Sequence, residues 1–325
     1  MIDRRELLKR GALGLGGLLV PGTALRLLSA GDDRGILRAA ASPAVTPFSM
    51  PLRIPSVLQP VTAGGVDGYE ITMRRGTVEA LPGKLTEIWG YDGTWPGPTI
   101  IARPGRPVRV LQRNELDVET TIHLHGGHVA SEMDGQPNLA LAPNGGEYLY
   151  EYPNDQLPMS LWYHDHAMHA TARNIYQGLA GSYLIVDAPG DADLGLPVTY
   201  GVDDVPLMLQ DRSFDESGQL VYPATAMPHG FVGDVFCVNG VAQPFLEVQA
   251  RPYRFRLTNA SNFRIYELAV SGAPAHQVGS DGGLLARPVS IAALPNRVIR
   301  LGVSERAEIV VDFRGLTAGA KAYLH

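Results

Sequence analysis

From about residue 45 onward, short runs of alternating apolar and polar residues are separated by Gly, Pro, Asn and Asp. Side chains two residues apart share one face of a β-strand, so this period predicts half-buried strands. The clearest runs cover residues 107–114, 147–152, 253–259 and 307–313. A helical pattern is convincing only at residues 169–178, and it is short. The pattern therefore predicts an all-β protein with sandwich-like strand spacing.

An internal repeat divides the chain. A proline, an arginine and an asparagine recur at one spacing of 145 residues (252 minus 107), as Pro107, Arg109 and Asn114 and again as Pro252, Arg254 and Asn259. We therefore expect two copies of one β-sandwich, at residues 46–190 and 191–325, preceded by an export signal and linker at residues 1–45.

The second copy is predicted to be incomplete at its C-terminal end. Residues 308–313 resemble residues 147–152, and at that spacing of 161 residues (308 minus 147) the strand starting at Leu161 falls on residues 322–325. The first copy continues through the helix to a closing strand at residues 181–187. No counterpart of that strand follows in the second copy, so we expect the chain to be a fragment of a longer protein.

The N-terminus reads as an export signal. Arg4 and Arg5 form a twin-arginine pair, and an apolar run that contains several glycines follows at residues 11–20. That run is too short for a comfortable membrane span, so no span is expected after signal removal. The prediction is export by the twin-arginine route to the periplasm or the exterior. Two cleavage points fit, after Leu28-Ser29-Ala30 or after Ala39-Ala40-Ala41.

Composition narrows the class of protein. The 37 glycines and 25 prolines suit many tight turns, and a net charge of -6 argues against a nucleic-acid partner. The single cysteine, Cys237, excludes an internal disulfide framework. Cys237 lies in an apolar strand-like stretch with no histidine beside it, so a buried structural thiol is expected rather than a metal ligand.

Four of the nine histidines form two His-x-His pairs, His123 with His125 and His164 with His166. In a strand each pair points to one face, and two facing pairs offer four imidazole nitrogens. One such pair alone is equally well read as a surface strand, but two pairs on apolar segments favour a metal site. Zinc is the alternative to copper, although a structural four-histidine zinc site is unusual and no HExxH motif is present. An all-imidazole site suits copper better.

Other polar residues near these pairs have two interpretations. Asp134 either forms an Asp-Gly turn with Gly135 or relays protons beside a copper–oxygen cluster. Asp165 must point to the face opposite the ligands and is expected to be a structural hydrogen-bonding residue. The remaining histidines are assigned to the surface, to contacts behind the ligands or to structural positions: His128, His169, His229 and His276; the terminal His325 supports no assignment.

The segments HLHGG and LWYHDHAMH, with the following TARNIYQGLAGSYLIVD, resemble the first two copper-binding segments of the multicopper oxidases. The resemblance is greatest to the branch of bilirubin oxidase, spore-coat laccase and phenoxazinone synthase. In the second half GDVFCVNG, PYRFRLTNAS, SDGGLL and ERAEIVVDF are similar to the second cupredoxin domain of that branch. The resemblance implies tandem cupredoxin-like Greek-key β-sandwiches, of which two are present and the family's third is absent.

Carried over by position, the resemblance implies a type 2 copper ligand at His123 and type 3 ligands at His125, His164 and His166. Asp134 matches the acidic residue that delivers protons near the trinuclear centre. The family's third domain brings the remaining trinuclear ligands and the type 1 copper, and its His-Cys-His segment is not in this sequence. Cys237 does not replace the cysteine of that segment, because no histidine stands beside it. We therefore expect a half-site without type 1 copper.

The expected function is that of a truncated multicopper oxidase that is inactive alone. The intact enzyme would oxidise phenolic, bilirubin-like or metal substrates by one-electron steps and reduce O2 to water. Its expected partners are O2, a small-molecule reductant and a missing C-terminal cupredoxin domain or separate chain. Two alternatives stay open, a non-catalytic exported cupredoxin scaffold and a copper-binding or copper-resistance protein that uses the half-site alone.

Overall fold

The computed structural model describes residues 28–29, 37–39, 41–223 and 230–325. The twin-arginine pair, the apolar run at residues 11–20 and His229 lie outside the described residues. Strands dominate the described chain, so the all-β prediction is confirmed. No helix within the described ranges is both long and apolar enough to cross a membrane.

The first half of the chain folds into two facing sheets. One sheet has the strand order β3-β4-β7-β9 with β5 paired to β4, and the other has the order β6-β11-β10-β8. A core rich in tyrosine and aliphatic side chains lies between them. We call this unit the first sandwich. The strands up to this point are β1 (Leu28–Ser29), β2 (Leu37–Ala39), β3 (Val61–Ala63), β4 (Val66–Leu81), β5 (Lys84–Tyr91), β6 (Gly97–Ala102), β7 (Val108–Asn114), β8 (His123–His125), β9 (Gly146–Tyr152), β10 (Met159–His164) and β11 (Ala180–Ile185).

The second half forms a seven-stranded sheet of order β15-β14-β12-β16-β22-β19-β20, which packs against the short pairs β17-β21 and β18-β23 around a separate core. We call this unit the second sandwich. Its strands are β12 (Asp204–Arg212), β13 (Phe231–Val232), β14 (Val235–Val238), β15 (Val241–Ala242), β16 (Pro252–Asn259), β17 (Tyr266–Leu268), β18 (Val270–Ser271), β19 (Ala275–Ser280), β20 (Gly283–Ser290), β21 (Ile299–Leu301), β22 (Arg306–Asp312) and β23 (Tyr323–Leu324). The predicted domain bounds themselves stay a prediction.

The repeat is visible in matching hydrogen bonds at two buried asparagines. Asn114 ends β7 and Asn259 ends β16. The side-chain amide of each donates to three backbone carbonyls, those of Val118, Leu141 and Ala142 in one case and of Arg264, Leu301 and Gly302 in the other. Each Oδ1 accepts from the backbone N–H two residues later. Because buried carbonyls need donors, these asparagines hold equivalent strand ends together.

The predicted spacing at the end of the second copy was wrong by two residues. Val108 pairs with Tyr152, and its repeat counterpart Tyr253 pairs with Val311, so the equivalent strands are 159 residues apart (311 minus 152). A shift of two keeps every side chain on its face, so the apolar pattern alone does not separate these registers. At the terminus β23 pairs with β18 as β10 pairs with β8, but the predicted alignment is off by one residue there. His125 pairs with Trp162 and its counterpart Val270 pairs with Leu324, a spacing of 162 residues (324 minus 162).

Two helices connect the strands. Helix α1 (Thr171–Gln177) lies inside the predicted helical segment. Helix α2 (Ala188–Asp193) was not predicted, because its sequence APGDAD has no helical period. It begins with proline near its first turn and places Asp191 in a buried position. The described chain also contains short 3₁₀ turns at Ser131–Met133, Pro137–Leu139, Ile291–Ala293 and Pro295–Arg297.

A buried charge network joins the two sandwiches. Arg254 lies 2.6 Å from Asp191 and also pairs with Glu308, and Arg256 lies 2.7 Å from Asp204 and 3.1 Å from Glu308. Glu308 also accepts a 2.6 Å hydrogen bond from Ser160 on β10 of the first sandwich. Burial raises the pKa of Glu308, but Arg256 and Arg254 outweigh burial and hold that pKa below its usual value.

An extended segment at residues 42–58, here called the strap, crosses both sandwiches. Phe48 donates its backbone N–H to Gln243, and Leu52 donates to Phe245, both in the second sandwich. Further along, Leu58 donates to Thr99 in the first sandwich. The strap therefore ties the two units along one side.

Candidate metal centre

Three of the four paired histidines lie on neighbouring strands, and the fourth, His166, follows the end of β10. β8 and β10 are antiparallel, with His123 opposite His164 and His125 opposite Trp162, and His166 follows two residues beyond His164. The ring centre of His123 is 5.4 Å from that of His125, 5.3 Å from that of His164 and 5.2 Å from that of His166. One nitrogen each from His123, His125 and His164 lies within 4.8 Å of the others. The structure thus brings three of the predicted ligands within reach of one metal ion, and His166 borders the same cavity.

Backbone carbonyls orient two of the rings. His123 Nδ1 lies 2.8 Å from the carbonyl oxygen of Asp134, and His164 Nδ1 lies 2.7 Å from that of Asp165. A carbonyl oxygen only accepts, so each Nδ1 carries the proton and each Nε2 is the unprotonated nitrogen. His164 Nε2 lies 3.3 Å from His125 Nδ1 and is placed to accept its proton. Metal-binding histidines are oriented by this kind of contact.

Burial keeps two of the rings, those of His125 and His164, neutral. It lowers the pKa of the fully enclosed His164 well below the usual value. Burial also lowers the pKa of His125 to about 4, with further lowering from Arg306, His123 and His166. Metal binding requires the neutral imidazole, so these side chains are ready to act as ligands at neutral pH.

The site opens into a cavity of about 430 Å³ between the two sandwiches. The histidine pairs and Trp162 form one wall, and Ser261, Asn262, Val303 and Ser304 of the second sandwich line the other. Trp162 stacks on His125 and lies 4.2 Å from His164, ring centre to ring centre. His166 Nδ1 is buried without a hydrogen-bond partner among the described residues. An uncompensated buried nitrogen and an all-imidazole donor set fit copper.

Asp134 forms the expected Asp-Gly turn and also lies beside a predicted copper ligand. It is followed by Gly135 at φ +66°, as a tight turn requires, and its carboxylate Oδ1 also lies 3.1 Å from His123 Nδ1. A β-carbon on Gly135 would overlap the carbonyl of Ile122, so this close approach to β8 depends on glycine. The turn therefore holds Asp134 against the metal site, and its role as a proton relay stays a prediction.

The structure also gives positions for the other polar residues and histidines considered in the sequence. The carboxylate of Asp165 faces away and accepts from the backbone N–H groups of Thr121 and Ala167. His169 is exposed and lines the cavity, whereas His128 is exposed and is not part of that lining. Among the described residues of the second sandwich there are two histidines: the exposed His276 on β19, and His325, which pairs with Ser271.

Arg306 was missed by the sequence reasoning. Its guanidinium lies 2.6 Å from Asp281 and donates to the carbonyl of Ser160 at 3.1 Å. A β-carbon on Gly126 would approach Arg306 Nη2 to 2.6 Å, so this second-sandwich side chain packs against Gly126, the residue after His125. No local pattern marks the residue, because the contact arises only when the two sandwiches pack together.

Cys237 lies on β14, buried among apolar side chains that include Trp95, and it does not line the histidine cavity. Burial raises the pKa of its thiol to about 12, partly offset by Arg212. The expectation of a buried structural thiol fits this position.

We expect Cys237 to be inert toward a thiol reagent at neutral pH in the folded protein, because the thiolate is the reactive form. Denaturation should expose one reactive thiol per chain. A colorimetric thiol titration with and without urea measures both values. Rapid labelling of the folded protein would contradict the assignment.

Comparison with known proteins gives consistent matches. A family model described as multicopper oxidase matches residues 72–190. The laccase of Bacillus subtilis (strain 168) is 38% identical over 307 residues, which cover 81% of this chain and 58% of the laccase. The bilirubin oxidase of Albifimbria verrucaria is 36% identical, with 85% of this chain and 49% of that protein covered. The cell division protein FtsP of Escherichia coli (strain K12) is 36% identical over 74% of this chain and 50% of FtsP.

Solved structures agree in fold. The crystal structure of a laccase from Pediococcus acidilactici superposes with a TM-score of 0.80 at 35% identity, covering 88% of this chain and 61% of that one. The cupredoxin-like β-sandwich prediction is therefore confirmed. The chain spans between about half and three-fifths of the length of these relatives.

Proposed function

The chain belongs to the multicopper oxidase family, and on that premise we propose that it binds copper through His123, His125, His164 and His166. The proposed activity is one-electron oxidation of phenolic, bilirubin-like or metal substrates, coupled to reduction of O2 to water. The observation that carries the proposal is the convergence of four histidines on one cavity, two with tautomers fixed by backbone carbonyls.

Copper, when bound, supplies the one-electron redox chemistry. The chain's own residues supply the rest of the site. In this proposal the backbone carbonyl of Asp134 keeps His123 in the tautomer that offers Nε2, and the Asp134 carboxylate, 3.1 Å from His123 Nδ1, holds a proton at Oδ1. Trp162 covers two of the rings and limits the access of water to them.

We further propose that another cupredoxin domain or chain closes the cavity and provides the entry for substrate electrons. Exposed apolar residues support this partner. Val303, which lines the cavity, is 39% exposed, and Met168 and Phe263, next in sequence to lining residues, are 54% and 45% exposed. Apolar surface beside a ligand cavity is typical of an interaction site.

The cellular location of the protein is part of the proposal. We infer export by the twin-arginine route to the periplasm or the exterior. The support is the Arg4-Arg5 pair followed by a short apolar run.

The likeness to a cell division protein favours a second candidate function, that of a non-catalytic exported scaffold. A scaffold has no need of four converging imidazoles, so metal binding separates the two candidates. Copper storage or resistance by the half-site alone is a third reading, which differs from the oxidase in needing no closing domain.

Copper titration of the purified chain tests the proposal. We expect copper to remain bound to the unmodified protein after dialysis. His164→Ala should weaken copper binding by at least about tenfold, because even mutation of a group that only supports a metal ligand has an effect of that size. His128→Ala is the matched control, because His128 is exposed outside the cavity. No intense copper–thiolate absorption is expected, since Cys237 is buried elsewhere. Equal copper affinity in the His164→Ala and His128→Ala variants would exclude the site.

A further inference from the structure

The strap begins with an anchored serine. The backbone N–H of Ser42 donates to Asp234 Oδ2 at 2.7 Å, and its hydroxyl donates to Oδ1 of the same carboxylate at 2.5 Å. The hydroxyl oxygen also accepts from the backbone N–H of Phe214 at 2.9 Å. Ser213 adds a further 2.9 Å hydrogen bond to Asp234. The backbone N–H and the hydroxyl of Ser42 are therefore both held by the second sandwich.

The residues just before Ser42 are three alanines, Ala39 to Ala41. Signal cleavage sites need small side chains at the last and the third-last position of the signal. Ala41 and Ala39 meet that need, whereas the other candidate places Leu28 at the third-last position. Ala41 is exposed in the structure, so the bond that follows it is accessible.

We propose that the export signal is removed between Ala41 and Ser42, and that Asp234 then holds the new N-terminus. Water is added across the peptide bond, so Ala41 leaves as a carboxylate and Ser42 gains an α-ammonium group. The proposal rests on the export that belongs to the proposed function, and is independent of copper binding.

The existing contacts already suit the cleaved form. A backbone N–H that donates to a carboxylate becomes an ammonium that makes a charge-assisted hydrogen bond to the same oxygen. The whole strap, from residue 42 to residue 58, stays on the protein. Cleavage releases β2, which pairs with β13 over two register positions. Cleavage after Ala30 would instead leave residues 31–41 attached.

N-terminal sequencing of the exported full-length chain is the direct test. We expect Ser42 as the first residue. An exported protein that begins at Gly31, or at any other residue, overturns this site while leaving export intact. An unprocessed chain retained in the cytoplasm overturns both the site and the proposed export.

Paired variants sharpen the result. Ala41→Leu should block processing, whereas the matched Ala30→Leu should leave Ser42 as the first residue. Blocked processing in Ala30→Leu with normal processing in Ala41→Leu would assign cleavage to the other site.

A second pair tests the capture by Asp234. Because Asp234 is exposed, the effect of its charge is modest, and Asp234→Asn should speed acylation of the α-amine near neutral pH by about twofold. Asp155→Asn, another exposed aspartate, should leave the rate unchanged. An equal rate in the Asp234→Asn variant and the unmodified protein would refute capture of the terminus.

Discussion

Replacing Arg254 with methionine should lower the free energy of unfolding by about 3–5 kcal/mol, the usual result of removing one partner from a buried ion pair. Arg254 is 2% exposed in its side chain and faces the carboxylates of Asp191 and Glu308, which are also buried. Without the guanidinium, two carboxylates share an enclosed site in which Arg256 is the nearest remaining cation. Urea denaturation at neutral pH measures the loss.

The repeat provides a control at the equivalent position. Arg109 is the counterpart of Arg254, but its ion pair with Glu151 is 55% and 49% exposed. Arg109→Met should therefore cost less than about 1 kcal/mol. Equal losses in the two variants would show that burial of the network is not what stabilises the protein.

The same network predicts a dependence on pH. In the folded protein the pKa of Glu308 lies below its unfolded value, despite burial, because of Arg256 and Arg254. A depressed carboxyl pKa contributes stability above the unfolded value of about 4.3, and that stability is lost as the pH falls through the folded pKa. Protonation also relieves the unpaired carboxylates of Arg254→Met. The difference between variant and unmodified protein should thus shrink on acidification below about pH 4.

Replacing Gly135 with alanine should weaken copper binding by about 10- to 100-fold, the scale seen when the support of a metal ligand is lost. The new β-carbon would overlap the carbonyl of Ile122 and lie 2.8 Å from the backbone nitrogen of His123. The turn must therefore withdraw from β8 and take the Asp134 carbonyl away from His123 Nδ1. Competition with a chelator of known affinity measures the change.

Gly105→Ala is the control for backbone strain. Gly105 has φ +68°, close to the +66° of Gly135, but a β-carbon there would meet no atom within 4 Å. It should cost about 1 kcal/mol of stability and leave copper affinity unchanged. Full copper affinity in Gly135→Ala would show that this contact does not orient His123.

The metal site could be predicted from the sequence because its geometry is local. Residues at i and i+2 of a strand must share a face, so His123 and His125 needed only one strand pairing, β8 with β10, to meet His164. His166 lies just beyond the end of β10 and borders the same cavity. The asparagine repeat was equally informative, since Asn114 and Asn259 make the same contacts in each sandwich.

The features that the sequence could not predict depend on contacts between distant parts of the chain. Arg306 contacts Gly126, next to His125, only because the two sandwiches pack together. Helix α2 has no periodic signal, and its Asp191 is buried because Arg254 pairs with it. The register of β22 differed by two residues because a period-two pattern fits both alignments equally well.

The strap also has a consequence for the order of events during synthesis. It is among the first parts of the chain to leave the ribosome, yet Ser42 contacts a residue 192 positions later. At ordinary synthesis rates the strap waits roughly ten to forty seconds for Phe245 to appear. Until then its backbone groups have no partner strand in the second sandwich. A segment made early thus docks on the second sandwich only after most of the chain has been synthesised.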